Sequence, residues 1–220
     1  MSVAKPSSPS TELPGLQTRD LGLCEYQAVW DDMRAYTQVR DNSSPDQFWY
    51  LQHPPVYTLG LNGKRHHLLK QTDIPVLPVD RGGQITYHGP GQLIAYLLLD
   101  INRLNISVKE LVTGMEQAII DYLADIGLPA ERKKGAPGIY IEGAKIAALG
   151  LRVKKGRSYH GLSFNVDMDL SPFENINPCG YKDMPVTQLT ELLGDACPAL
   201  EQVKSALHTH LCQQLGYNAA

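Results

Sequence analysis

"GIYIEGAKIAALGLRVKKGRSYHGLSFNVD", residues 138–167, decides the fold. Three apolar runs, GIYIE, KIAALGLRV and RSYHGLSFNV, are separated by Gly143 and by Lys155-Gly156. Glycine supplies the positive φ that a tight hairpin turn demands, so the stretch predicts two successive hairpins and an antiparallel meander.

Moving upstream, SVKELVTGMEQAIIDYLADIG (107–127) changes the period from strand to helix. Ser107 and Glu110 stand at capping-box spacing, Gly127 ends the run and Pro129 follows. Val108, Leu111, Val112, Met115, Ile119, Tyr122, Leu123 and Ile126 share one helical face. Before it, QLIAYLLLDI (92–101) is continuously apolar between Gly91 and Asp100, which suits a strand buried on both faces. QFWYLQ (47–52) is strand-like in its aromatics, and the two prolines after His53 close it. A helix is expected from about Leu23 to Val39, ended by the turn residues of DNSSPD, and IPVLPVDRGG (74–83) reads as a short strand. Downstream of DLSPFENINPCGY (169–181), helices are expected at about 186–193 and 200–215. With no internal repeat, the pattern is mixed α/β of the α+β type: a mixed, largely antiparallel sheet with flanking helices.

The chain has 220 residues, enough for one sizeable core, and nothing divides it into halves. Residues 1–19, rich in Ser and Pro and lacking an apolar signal-peptide core, read as a flexible leader, and 20–220 as a single domain. Its 20 basic and 23 acidic residues give a net charge of −3, which argues against a nucleic-acid partner. No window approaches the eighteen or so apolar residues of a transmembrane helix, so no membrane partner is expected. Cys24, Cys179, Cys197 and Cys212 show neither C-x-x-C spacing nor the density of a disulfide scaffold, and fit reduced thiols in the cytoplasm.

Cys179, in NINPCGYKDM, is the thiol to weigh for chemistry. A lone cysteine is commonly a small buried hydrophobe, and the other three are read that way. Here Pro178 and Gly180 fix and open the backbone around the sulfur, as a nucleophile approached by a bulky substrate needs. At an ordinary thiol pKa of about 8.5 little thiolate exists at neutral pH, so a basic or cationic neighbour is required. His88, His160 and Lys145 are the candidates, and Lys145 entering an apolar strand is either an edge residue with its ammonium in water or a desolvated amine with a task. RGGQITYHGPGQ (81–92) matches neither the P-loop nor the dinucleotide glycine pattern. It is either a tight connection between strands or, given Arg81 and His88, one wall of a ligand site with Gly161 and Asn165 on another. Arg132, Lys133, Lys134, Lys154, Lys155 and Arg157 are solvated turn residues or a surface for an acidic protein.

Taken together, DRGGQITYHGPGQ, GAPGIYI, KIAALGLRV, YHGLSFNV, DLSPF and INPCGY stand in the order and spacing of the lipoyl(octanoyl) transferases. The chain resembles that family over roughly residues 20–190, and the family resembles the lipoate and biotin protein ligases in fold. The resemblance implies transfer of an octanoyl or lipoyl group from acyl carrier protein to a lysine of the lipoyl domains of 2-oxo acid dehydrogenases and the glycine cleavage H protein. It implies a thioester acyl-enzyme on Cys179 with Lys145 as catalytic partner. It draws the acyl pocket from Arg81, Gly82, Gly83, Gln84, Ile85, Thr86, Tyr87 and His88, from Ala148, Leu149 and Gly150, and from Gly161, Leu162 and Ser163. Lys145 would take the thiol proton, and backbone N–H groups near Gly180 or in the glycine loop are candidates for holding the oxyanion. Because a thioester is already activated, no cofactor, metal or ATP is expected.

An ATP-dependent lipoate or biotin protein ligase is the alternative, set apart by Cys179, which an acyl-adenylate route does not need. A cysteine hydrolase using His88 or His160 lacks a protease signature. A non-catalytic binder of acyl carrier or lipoyl domains has no use for both Cys179 and Lys145.

Overall fold

The computed structural model describes residues 15–177 and 184–218. The meander is present as strands β8 (Ala136–Ile141), β9 (Ala144–Lys154) and β10 (Arg157–Asn165). Glu142 and Gly143 turn the first hairpin and Lys155 and Gly156 the second, all four at positive φ. Upstream lie β1 (Leu16–Leu23), helix α1 (Tyr26–Val39), β2 (Asp46–Gln52), β3 (Val56–Leu59), β4 (Val76–Pro78), β5 (Ile85–His88), β6 (Gln92–Leu98), helix α2 (Val108–Asp125) and β7 (Glu131–Lys133). Helices α3 (Leu189–Leu193) and α4 (Leu200–Leu215) end the described chain.

One sheet runs in the order β1-β2-β6-β10-β9-β8-β7, and a second in the order β4-β3-β5. Only the outer pairs β1–β2 and β3–β4 are parallel. Strand β6 explains its own composition: Leu93, Ala95 and Leu97 face the core built with α2 and α4, while Ile94, Tyr96 and Leu98 face Val29 and Met33 of α1. A strand covered on both sides has no solvent face, so the alternation expected of a half-buried strand vanishes. In α2 the capping box forms as read, with the Ser107 hydroxyl accepting from the Glu110 amide and the Glu110 carboxylate accepting from the Ser107 amide. Val108, however, is exposed, at the edge of the apolar stripe.

Three local readings differ from the structure. Residues 16–19, assigned to the leader, open β1, whose pairing with β2 satisfies its backbone although most of its side chains face water. Helix α1 accordingly starts at Tyr26 rather than Leu23, because Leu23 is still paired with Gln52. The helix expected from 186 starts only at Leu189, because Val186 forms a parallel bridge with Lys145.

Asp46 ties the far edge together. Its buried carboxylate meets Arg40 Nη2 at 2.6 Å and Arg103 Nη2 at 2.8 Å, and accepts from the Asp100 amide at 2.8 Å and Tyr217 OH at 2.7 Å. No helix among the described residues is long and apolar enough to cross a membrane.

Candidate active site

Between the meander and the second sheet lies a cleft of about 750 Å³, open mouth included. Its floor is β9 and β10, where Gly150 pairs with Gly161, Leu149 with Leu162 and Ala148 with Ser163. Its other wall is the loop and strand 81–88. Along β10 the cleft runs from His160 to Asn165, about 17 Å at some 3.3 Å per residue, with Lys145 at the Asn165 end. Seven C–C bonds of about 1.5 Å span at most about 11 Å, so an extended eight-carbon chain fits within that length.

Lys145 is set by its own strand. It is 4 % exposed, and its Nζ donates to the Pro137 carbonyl at 3.1 Å and sits 5.2 Å from the centre of the Tyr140 ring. The aliphatic part of the side chain passes over Gly138, where a Cβ would stand 3.1 Å from Lys145 Cε and 2.6 Å from the Ala147 carbonyl oxygen. Gly138 has φ +133°, so both conformation and space demand glycine there. The main chain of Lys145 is held from the other side: its amide donates to Pro185 O at 2.8 Å and its carbonyl accepts from Thr187 at 3.0 Å. The chain that follows Cys179 is thereby laid against the lysine strand.

Arg81, 7 % exposed, folds the glycine loop about its guanidinium. Nε and Nη2 donate to the Thr58 hydroxyl, Nη2 to the carbonyls of Thr58 and Gln84, and Nη1 to that of Gly82. The Gly82 amide donates to Leu151 O at 2.8 Å, which docks the loop onto β9, and a Cβ at Gly150 would press on Gly82 O at 3.1 Å.

His88 pairs its Nδ1 with Gln92 Oε1 at 2.7 Å, while Gln92 Nε2 donates to Asn165 Oδ1 at 2.9 Å and Asn165 Nδ2 to Thr187 O at 3.0 Å. A chain of amides thus joins His88 to the segment clamped on Lys145. Burial, with His53 and Arg81 nearby, holds His88 well below the usual imidazole range, so it is neutral. At the other end, His160 has φ +60° and meets Asp80 at 3.2 Å and the Tyr26 hydroxyl at 3.5 Å. Burial lowers the His160 pKa against the pull of Asp80, and burial pushes Tyr26 up to about 12. Burial alone would raise Asp80, but hydrogen bonds from His160, Tyr159 and Trp30 outweigh it and hold the carboxyl below its ordinary range. The Lys145 end is closed by Phe173 and Val186, and the opposite end by polar aromatic rings.

Of the residues singled out from sequence, Arg81, Gly83, Gln84, Ile85, Thr86, His88, Lys145, Ala148, Leu149, Gly150, Gly161, Leu162 and Ser163 all line this cleft. Gly82 and Tyr87 do not: the Gly82 amide is spent on β9, and the Tyr87 ring packs on Tyr57 and edge-on against the cleft-lining Phe173. Cys179 lies outside the described residues. Tyr26, Gln92, Tyr96, Pro137, Phe173 and Val186 also line the cleft and were not foreseen. Gln92, a polar residue heading an apolar strand, carried a local signal; Tyr26 and Tyr96 read as ordinary core aromatics.

A family model described as the lipoyl protein ligase A/B catalytic domain matches residues 26–212. The chain belongs to the lipoyl protein ligase A/B catalytic domain family. Within it, an octanoyltransferase of Stutzerimonas stutzeri strain A1501 is 56 % identical over 199 residues, 90 % of each chain. In fold, this family member is similar to a lipoate-protein ligase A solved with ATP, at a TM-score of 0.75 and 15 % identity over 93 % of this chain and 87 % of that one. It is similar in fold also to a biotin protein ligase from Aquifex aeolicus, at a TM-score of 0.56 and 13 % identity over 92 % of this chain and 70 % of the other.

Proposed function

We propose that this acyltransferase moves an octanoyl or lipoyl group from acyl carrier protein in the cytoplasm to a lysine of lipoyl domains, those of 2-oxo acid dehydrogenases and the glycine cleavage H protein, through a thioester on Cys179. The observation that carries the reading is Lys145: a buried amine at one end of an acyl-sized cleft, with its main chain clamped to residues 185–187, six to eight positions beyond Cys179. That clamp supports the pairing of the two side chains, which sequence spacing alone did not.

Lys145 takes up the Cys179 proton, and the thiolate attacks the carrier thioester. The tetrahedral oxyanion collapses, the acyl–sulfur bond to the carrier breaks, and the carrier thiol leaves with the proton returned by Lys145. The neutral amine of the lipoyl-domain lysine then attacks the octanoyl-enzyme and loses its proton to Lys145, and an amide forms as Cys179 leaves as thiolate. The donor is already activated, so the cycle consumes no ATP. The apolar side chains Ile85, Ala147, Leu149 and Leu162 suit the alkyl tail.

Intact-mass spectrometry after mixing with octanoyl-acyl carrier protein, without ATP, tests this. One octanoyl adduct on the wild type, absent from Cys179→Ser and discharged by a lipoyl domain, is expected. Transfer that requires ATP and free octanoic acid, with no adduct, replaces the reading by that of a ligase.

A further inference from the structure

Three of the six cations that the sequence first drew attention to are spent within the fold, and Lys134 is exposed in the turn between β7 and β8. Arg132 pairs with Glu116 at 2.9 Å, Lys133 donates to Gly143 O at 2.8 Å, and Arg157 bonds Asp100 and the Arg40 carbonyl. Lys154 and Lys155 are exposed but sit at the opposite end of β9 from Lys145, about 30 Å away by strand rise.

A different cluster lies beside the mouth. No acidic residue stands between Asp46 and Asp73, and within that interval LNGKRHHLLK (61–70) holds Lys64, Arg65 and Lys70 with His66 and His67. Lys64, Arg65, His66 and Lys70 are exposed, and Lys64, Arg65 and Lys70 form no ion pair with any described residue. Leu61 and Leu69, 56 % and 51 % exposed, supply apolar contact within the cationic rim. The loop is fastened to the chain entering the Cys179 segment: Leu69 N donates to Asn175 O at 2.8 Å, Asn177 N to His67 O at 2.9 Å, and Leu68 bridges Ile176. Asn177 is two residues before Cys179, a reach of at most about 7 Å of extended chain.

We propose that loop 61–70 is the docking surface for the acyl donor, an acidic carrier protein whose negative face meets Lys64, Arg65 and Lys70 while Leu61 and Leu69 take its apolar contact. The inference rests on the transferase reading above. The donor's chemistry fits this rim: its thioester arrives on a phosphodiester arm, whose negative charge the exposed cations attract beside the segment that bears Cys179. A net charge of −3 over the whole chain makes a local cationic rim the feature that steers an acidic partner.

The test is the triple variant Lys64→Glu, Arg65→Glu, Lys70→Glu, assayed with octanoyl-acyl carrier protein and with octanoyl-N-acetylcysteamine as donors to one lipoyl domain. Exposed rim charges act on encounter, so kcat/KM with the carrier is expected to fall by about tenfold or more and to lose its salt dependence. Turnover with the small thioester and the KM for the lipoyl domain stay at the wild-type level. A variant that keeps wild-type kcat/KM with the carrier, loses both donors equally, or changes only the lipoyl-domain KM overturns the docking surface. A wild type that uses neither thioester refutes the transferase reading itself, which separates the two failures.

Discussion

Gly138→Ala isolates how the meander aims Lys145. The new methyl would stand 2.6 Å from Ala147 O, whereas carbon–oxygen contacts settle near 3.3 Å, so β8 and β9 must part by about 0.7 Å. It would also press on Lys145 Cε at 3.1 Å, and φ +133° is a conformation for which a side chain costs about 1–3 kcal/mol. With the contact included, a loss of about 2–4 kcal/mol lowers Tm by roughly 5–15 °C for a chain of this size. The strand that shifts carries Pro137, whose carbonyl holds Nζ, so the amine moves by the better part of an ångström; misplacement on that scale costs on the order of a hundredfold in rate. The assay is single-turnover formation of the octanoyl-enzyme, followed by mass well below Tm, in Gly138→Ala, Lys145→Ala and the double variant. Lys145→Ala alone is expected to abolish transfer, and Gly138→Ala should add nothing to that loss while still lowering Tm. Wild-type acylation by Gly138→Ala, or losses that multiply in the double variant, would refute the reasoning.

Other perturbations have equally definite outcomes. Burial lowers His53 to about 4 and keeps His88 and His160 below the ordinary 6.5, so the unfolded chain binds protons that the folded one refuses as pH falls from about 6.5 to 4. Stability is therefore full above that window and lost within it, by about 1.4 kcal/mol per pH unit for each fully neutral histidine. Urea midpoints of wild type and His53→Gln across these pH values should show the shallower slope in the variant. Asp46→Ala leaves the buried Arg40 guanidinium without its carboxylate and is expected to cost about 3–5 kcal/mol, read as a fall in the urea midpoint. Tyr26→Leu removes a ring from the end of the cleft opposite Lys145, so competition between octanoyl and dodecanoyl thioesters should shift toward the longer chain; an unchanged ratio places the end of the acyl chain elsewhere.

What the sequence determined by itself is what short-range physics governs. The capping box of α2, the glycine turns of the meander, the unbroken apolar run of β6 and helix α4 each carry their signal within one window, because hydrogen bonds and turn strain act over a few residues. The order of six short motifs likewise carried the family and most residues of the cleft wall. Tertiary structure alone decided the rest. Strand β1 has no alternation and holds only Leu16, Leu21 and Leu23 as large apolar residues, and it exists because β2 offers an unpaired edge. Val186 leaves a helical pattern to bridge Lys145, because pairing with the lysine strand satisfies the Pro185 carbonyl and the Thr187 amide on either side of it. Tyr26 and Tyr96 reach the cleft from a helix and a strand distant in the chain, and the burial that lowers the pKa of His88 and His160 exists only once those elements close around them. Long-range pairing and desolvation are properties of assembled layers, so no local window can carry them.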